Sequence, residues 1–108
     1  NSIVFNTKNT AETHENEKSS TNKVNLWNNS IKYLSRRYPI LIADKNSNLI
    51  SSDWSKLNDN TRIKVNAFIT NEKLEITVFK ETLKNSEWIS DGQDKDLSEK
   101  IKNEILAL

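Results

Sequence analysis

Two consecutive stretches of alternating apolar and polar residues constrain the fold of this chain more than any other feature. The apolar positions are Ile63, Val65, Ala67 and Ile69 in the first stretch and Leu74, Ile76 and Val78 in the second. A period of two is typical of β-strands that bury one face. A two-residue turn at Asn71-Glu72 would pair the apolar positions with each other, beginning with Ile69 opposite Leu74. A shift of one residue would set Glu75 opposite Ile69 in the core, so burial specifies this register.

The same register predicts which side chains share the other face of this hairpin. It sets Arg62 opposite Glu81 and Lys64 opposite Phe79, and Phe68 projects from the same face. If helices cover the apolar face, these two rings are partly exposed among charged groups, which is typical of a contact surface. The alternative is that Lys and Arg side chains simply cover two isolated rings. The candidate partner-binding residues are therefore Phe68, Phe79, Arg62 and Lys64.

Helical periodicity flanks the strands on both sides. The apolar stripe of the first helix is formed by Trp27, Ile31, Leu34 and Tyr38. Pro39 ends this helix, because the residue before a proline is disfavoured in the α region. A second helix is predicted from about Lys95 to residue 108. Its apolar stripe is formed by Leu97, Ile101, Ile105 and Leu108. Asp94 and Asp96 lie near its start, where carboxylates are favourable.

Two further strands precede the central hairpin. Residues 40–44 and 49–54 are predicted to pair around the polar turn at 45–48. After Trp88, the Asp91-Gly92 pair predicts a turn that leads into the second helix. The element order predicts an α+β fold of one helix, a four-stranded antiparallel sheet and a closing helix. Both helices have one apolar stripe, so both are expected on one sheet face.

Composition divides the chain into two parts. Residues 6–23 contain no apolar side chain larger than Ala11, so they cannot bury enough surface to offset the entropy of ordering. Residues 1–23 are therefore predicted to be a disordered polar tether, and residues 24–108 a single domain. The net charge of +1 gives no support to nucleic-acid binding.

Few residues of this chain carry the chemistry of an enzyme. There is no Cys, the one His is His14 in the predicted tether, and a single Gly excludes glycine-rich phosphate loops. Asp44 and Asp53 could approach each other across the first hairpin as an acid–base pair, although turn and cap roles explain them more simply. Asp44-x-Asn46-x-Asn48 opens like an EF-hand loop, but the required Gly and bidentate Glu are missing. We predict a non-enzymatic domain with no catalytic residue, cofactor or metal.

Trp27 and Trp54 suggest a different use of the fold. A helix that packs on a sheet can leave a cavity between the two, and these two side chains are candidates to line it. The alternative is that the tryptophans are simply part of the core. The pocket hypothesis would make the domain a carrier of a small hydrophobic ligand or lipid.

Several short motifs resemble an uncharacterised domain family of alphaproteobacterial exported lipoproteins. The matching segments are Leu26-Trp27, Pro39-Ile40, Ala43-Asp44, Leu49-Ile50-Ser51-Ser52-Asp53-Trp54, Arg62-Ile63-Lys64-Val65-Asn66, Phe79-Lys80, Trp88 and Glu104-Ile105-Leu106. The likeness covers about residues 25–108. One departure is Ser47-Asn48, where the family tends to have Gly-Gly. The order of helices and sheet is also similar to the helix-grip domains of BamC, an outer-membrane-assembly lipoprotein.

The resemblance implies a location rather than a reaction. It implies export to the periplasm and a lipid on a Cys upstream of Asn1, with anchoring to the outer membrane. Residues 1–23 would then be the spacer from the membrane. The expected function is a non-enzymatic accessory or protein-binding domain of the envelope, with outer-membrane assembly as one setting and an envelope protein as its partner. The hydrophobic-ligand carrier is the alternative.

Overall fold

Two helices and six antiparallel strands form the part of the chain that the computed structural model describes, which is residues 25–70 and 73–108. Helix α1 covers residues 25–37. The strands are β1 (Ile40–Asp44), β2 (Leu49–Ser52), β3 (Ser55–Asn58), β4 (Thr61–Thr70), β5 (Lys73–Lys84) and β6 (Glu87–Gln93), and helix α2 is Lys95–Leu106. The sheet order is β1-β2-β4-β5-β6, and β3 also pairs with β4. The α+β prediction is confirmed. The tether predicted for residues 1–23 lies outside the described residues.

The central hairpin of β4 and β5 has the register predicted from alternation. Ile69 pairs with Leu74, and at the other end Arg62 pairs with Glu81. Ile63, Val65, Ala67 and Ile69 are fully buried, whereas the residues between them are half-buried or exposed. The predicted turn at Asn71-Glu72 lies outside the described residues.

The prediction of four strands is wrong, because β3 and β6 also belong to the sheet. The prediction of a turn at Asp91-Gly92 is also wrong, because both residues lie inside β6. Three steps from Ser90 to Gln93 oppose two steps from Phe79 to Glu81, so β6 carries one extra residue. Gly92 has a φ of 78° at this point, as is usual for a β-bulge, where glycine adopts the left-handed region without strain.

Strands β5 and β6 are connected by a two-residue turn of type I′. The connecting residues Asn85 and Ser86 have φ values of 51° and 67°. Positive φ at both central positions matches the right-handed twist of the flanking strands, and Asn tolerates it well. The turn sets Leu83 opposite Trp88, and Trp88 thereby lies on the same face as Arg62 and Glu81.

A single core joins the sheet to side chains from both helices. Its buried members are Leu26, Tyr33, Leu34, Ile50, Ile63, Val65, Ala67, Ile69, Leu74, Val78, Ile101 and Ile105. At 25–30 cal/mol per Å² of apolar surface, each larger aliphatic side chain contributes about 1.5–3 kcal/mol by burial. Among the described residues, no helix combines the length and apolar character needed to cross a membrane.

The predicted stripe of α1 is rotated from the one that is buried. Trp27 and Ile31 are only half-buried, and the buried stripe instead includes Leu26 and Ser30. Burial of Ser30 is tolerated because its hydroxyl donates to the carbonyl of Leu26, four residues earlier, at 2.7 Å. Apolar spacing alone could not reveal a polar residue at the centre of the buried face.

Helix α2 is tied to the sheet at its first turn. Asp94 is the N-cap, and its Oδ1 accepts from the amide of Leu97 at 3.0 Å. The Ser98 hydroxyl donates to the Asp94 carbonyl at 2.8 Å and accepts from the Val78 amide at 3.1 Å. The prediction of a helix from about Lys95 is confirmed. Leu108, which was expected on its buried stripe, is instead 65% exposed, because the helix ends at Leu106.

Candidate functional site

The face of the sheet opposite the buried strand residues is called here the outer face. On β4 and β5 it consists of Arg62, Lys64, Asn66, Phe68, Thr70, Lys73, Glu75, Thr77, Phe79, Glu81 and Leu83. The structure places all four candidate partner-binding residues on it. Phe68 is 41% exposed and Phe79 is 36% exposed, so neither ring is fully covered by the long side chains around it.

Arg62 is the most constrained side chain of the outer face. Its guanidinium carbon lies 4.4 Å from the ring centroid of Trp88 and 4.8 Å from that of Trp54. Its Nε donates to Oε1 of Glu81 at 2.7 Å, and Nη2 lies 2.5 Å from the same oxygen. We call Trp54, Arg62 and Trp88 the aromatic stack. A planar guanidinium suits this position because it contacts aromatic faces and donates within its own plane at the same time.

A second apolar group lies on the other half of the outer face. Leu49 is directly opposite Phe68, and Ile42 pairs with Ser51 two residues further along the hairpin. We call Ile42, Leu49 and Phe68 the apolar patch. Phe68 and Phe79 are four positions apart along the β4 register, which corresponds to about 13 Å at 3.3 Å per residue. The outer face therefore has two separate apolar regions rather than one.

Polar side chains occupy the strip between these two regions. The Ser51 hydroxyl donates to Oδ1 of Asn66 at 2.6 Å, and Asn66 in turn lies opposite Thr77. Lys64 is opposite Phe79. Among the described residues, no carboxylate lies within ion-pair distance of Lys64. A partner on this face would meet apolar side chains at both ends, with the Lys64 ammonium beside Phe79.

Trp27 and Trp54 are not brought together. Trp27 packs from α1 against the core cluster, whereas Trp54 stacks on Arg62 at the outer face. The pocket predicted between them is therefore not formed by these residues. The prediction treated 49–54 as one strand, in which Trp54 would share the buried face of Ile50 and Ser52. Strand β2 ends at Ser52 instead. Strands β2 and β3 both pair antiparallel with β4, and four steps from Ser51 to Ser55 oppose three steps from Ile63 to Asn66, so one extra residue shifts the alternation before β3.

The two candidate carboxylates lie at opposite ends of the first hairpin. Asp44 is at the closed end, where its oxygens accept from the Ser47 hydroxyl at 2.9 Å and the Asn46 amide at 3.0 Å. These hydrogen bonds, that of Ser47 first, hold the pKa of Asp44 below its usual value. Asp53 is at the open end, where its amide donates to the Pro39 carbonyl at 2.7 Å. The strand between them spans about 13 Å or more, so they do not form an acid–base pair.

No group of three or more His, Asp or Glu side chains in residues 25–70 and 73–108 is arranged to hold a metal ion. The segment that resembles the opening of an EF-hand loop is a hairpin turn. It begins after Asp44 and ends with Asn48, which has a φ of 60°. Asp94 caps α2. His14 lies outside the described residues.

Trp88, like Trp54, is an aromatic residue of the outer face that sequence reasoning missed. Its position depends on β6, and β6 has no clear alternation because Ser, Asp, Gly and Gln follow Ile89. The signal that could have placed it is Asn85-Ser86, a dipeptide compatible with a type I′ turn directly after a long strand. Continuing the hairpin from that turn would have set Trp88 opposite Leu83 and beside Arg62.

Comparison with known proteins gives the chain a family but no activity. Residues 19–108 match the domain of unknown function DUF3576. An uncharacterised protein of Rickettsia prowazekii (strain Madrid E) is 28% identical over 88 residues, which are 75% of this chain and 52% of the relative. The chain thus spans about half the length of that relative. No solved structure matches. Because the family match covers most of the sequence, the chain belongs to the DUF3576 family of domains of unknown function.

Proposed function

We propose that this domain is a non-enzymatic protein-binding module of the bacterial envelope, and that it contacts its partner through the outer face. The observation that carries this proposal is the composition of that face. It combines two exposed Phe rings with an Arg held between two Trp rings. Aromatic residues and Arg are enriched in protein interfaces and dominate their binding energy.

The rigidity of the aromatic stack supports this assignment. Arg62 is fixed by Glu81 and by two rings, so the stack loses little side-chain entropy when a partner packs on it. Its charge is already balanced by Glu81, and the desolvation on binding is smaller than for an unpaired cation. The stack therefore suits a preformed contact, while Phe68 and Phe79 supply the more exposed anchors on either side of the polar strip.

The placement of the helices belongs to the same proposal. Residues of α1 and α2 share one core cluster with inward side chains of β4 and β5. This supports a helix-grip-like arrangement, similar to that of the BamC domains, in which both helices cover one sheet face. Such an arrangement leaves the outer face open to a partner protein.

The envelope location rests on the sequence resemblance to exported lipoproteins. In this proposal residues 1–23 are the spacer from the membrane, and a lipid on an upstream Cys holds the protein at the periplasmic side of the outer membrane. The partner is another envelope protein, and outer-membrane assembly is the process that we propose it serves. A net charge of +1 favours a protein partner over nucleic acid. The separation of Asp44 from Asp53 favours binding over carboxylate catalysis.

The test compares outer-face variants with a matched control. A photo-crosslinking residue at position 68 of the native lipidated protein would capture and identify the partner, and the same residue at position 57 of β3 provides the control. Purified partner is then titrated against the wild type, Phe68→Ser/Phe79→Ser and Leu57→Ser/Leu106→Ser. Leu57 and Leu106 are 53% and 52% exposed, so the control removes as many exposed apolar side chains.

The two outcomes are distinct. We expect the Phe double variant to weaken binding by at least about tenfold, which corresponds to ~1.4 kcal/mol, and the Leu double variant to bind like the wild type. Urea unfolding of each variant checks that the domain remains folded. Equal binding by the Phe variant and the wild type, with both folded, would refute the proposal.

A further inference from the structure

A groove lies between α1 and the C-terminal end of α2, away from the outer face. It has a volume of about 590 Å³, which is within the range of about 300–1,000 Å³ typical of small-molecule sites. Helix α1 contributes Asn29, Lys32, Tyr33, Arg36 and Arg37, and α2 contributes Glu104. The groove is built from two helices and therefore has a defined shape.

The charge of this groove is strongly unbalanced. Its lining side chains include three cations, Lys32, Arg36 and Arg37, and one carboxylate, Glu104. Glu104 already accepts a hydrogen bond from the Tyr33 hydroxyl through Oε1. Within the part of the chain that the structure describes, none of the three cations lies within ion-pair distance of a carboxylate. The whole chain has a net charge of only +1, so this excess is local.

Two of the cations lie close enough on α1 to repel each other. Lys32 and Arg36 are four residues apart on α1, and like charges at this spacing destabilise a helix. The dipole of α1 explains a cation in its last turn, but Lys32 lies before that turn. An anion bound between the two side chains would relieve the repulsion.

Arg37 is held in position at the edge of the groove. Its guanidinium carbon lies 3.8 Å from the ring centroid of Tyr33, and its Nη1 donates to the Tyr33 carbonyl at 3.2 Å. This leaves other N–H groups of the guanidinium available, since Arg has five donors. Two guanidinium groups and an ammonium around one cavity match the oxygens of a phosphate, which accepts from Arg in a bidentate manner.

We propose that this groove binds a phosphate ester, with the phosphate among Lys32, Arg36 and Arg37 and the organic part beside the end of α2. The apolar side chains of Ala107 and Leu108 line that end. The phosphate belongs either to a soluble ester or to the headgroup of a lipid. The groove does not overlap the outer face, so this site is independent of the proposed protein contact.

The test uses defined probes and a charge-matched control. Amide chemical shifts of the ¹⁵N-labelled wild type are followed during titration with inorganic phosphate and with glycerol phosphate. Co-sedimentation is measured with vesicles of phosphatidylcholine alone and with vesicles containing phosphatidylglycerol. The variant is Lys32→Gln/Arg36→Gln, and the control is Lys45→Gln/Lys84→Gln, which removes the same charge from two exposed hairpin lysines.

We expect saturable shifts centred on residues 29–37 and 104–108, and at least a tenfold loss of affinity in the groove variant but not in the control. Saturation with glycerol phosphate without vesicle binding identifies a soluble ester, and binding to phosphatidylglycerol vesicles identifies a lipid headgroup. Shifts that do not saturate, that lie elsewhere, or that weaken equally in the control overturn the proposal. Mapping on the wild type keeps the test valid even if the groove variant is unstable. Phe68→Ser/Phe79→Ser should bind the probes normally.

Discussion

Replacing Tyr33 with Phe is predicted to destabilise the domain at neutral pH and to change its response to alkali. The Tyr33 side chain is only 7% exposed, and its hydroxyl donates to Glu104 of the other helix. Burial, and after it the hydrogen bond to Glu104, raises the pKa of Tyr33 to about 12 from its usual value of 10. Phe keeps the ring beneath Arg37 and removes only the hydroxyl, so the substitution isolates this hydrogen bond.

A hydrogen bond to a charged acceptor contributes about 1.5–3 kcal/mol to stability, which sets the magnitude of the effect at pH 7. Burial is the first cause of the raised pKa of Tyr33, so this pKa measures how strongly the folded state disfavours the phenolate and therefore the loss of stability in alkali. Glu104 is half-buried, and water can partly replace the lost donor. We therefore expect Tyr33→Phe to lower the free energy of unfolding by about 1.5–3 kcal/mol at pH 7.

The sign of the pH dependence follows from the raised pKa. The unfolded chain releases the Tyr33 proton near pH 10, whereas the folded chain retains it until about pH 12. The stabilisation is therefore complete below pH 10 and is lost as the pH rises through 12. The wild type should lose this contribution between pH 10 and 12, and Tyr33→Phe should not, so the difference in stability between them should shrink over that range.

Urea unfolding followed by tryptophan fluorescence at pH 7, 9, 10, 11 and 12 measures this difference. Tyr38→Phe is the matched control, because the pKa of Tyr38 is also raised, chiefly by burial, and no hydrogen bond from its hydroxyl is present among the described residues. We expect the control to change the free energy of unfolding by less than about 1 kcal/mol at pH 7. A Tyr33→Phe variant as stable as the wild type at pH 7, or one with the same loss above pH 10, would refute the reasoning.

Two further substitutions test the sheet. Arg62→Lys keeps the charge beside Glu81 but loses the planar contact with both Trp rings. It should lower the free energy of unfolding by about 1–2 kcal/mol and shift the tryptophan emission. An unchanged unfolding midpoint and an unchanged spectrum would contradict the aromatic stack. Ser86→Gly relieves a non-glycine residue at a φ of 67° and should raise the free energy of unfolding by about 0.5–1 kcal/mol. A loss of stability in urea unfolding of this variant would count against the type I′ turn.

The central hairpin was predictable because the side chains on each of its two faces specify the same strand register. Apolar residues on one face and opposite charges on the other are compatible with a single alignment, in which Arg62 meets Glu81 and Ile69 meets Leu74. The start of α2 was predictable for a similar reason, since Asp94 combines cap chemistry with a following apolar stripe. In both cases a local pattern and a packing requirement specify the same answer.

The remaining strands depend on neighbours rather than on their own composition. Strand β3 contains one large apolar residue, Leu57, which is exposed, and β6 carries a bulge at Gly92. Their backbone N–H and C=O groups form hydrogen bonds with β4 and β5. This stabilisation does not depend on alternating apolar residues, so an alternation pattern cannot predict it. The candidate site was predictable to the same extent. The face of Phe68 and Phe79 followed from the register, but Trp54 and Trp88 reached it only through β3 and β6.

The charges of the outer face bear on what kind of partner the proposed contact would select. Arg62 is paired with Glu81, and Lys73 lies 4.0 Å from Glu75. Among the described residues of β4 and β5 on this face, Lys64 alone is left without a partner. An unpaired Lys64 beside Phe79 contributes little to affinity in water but penalises a partner that places a cation or an uncharged apolar group against it. The proposed partner would therefore combine apolar anchors with a carboxylate opposite Lys64, and because a surface charge pair contributes little, high salt would weaken binding only slightly.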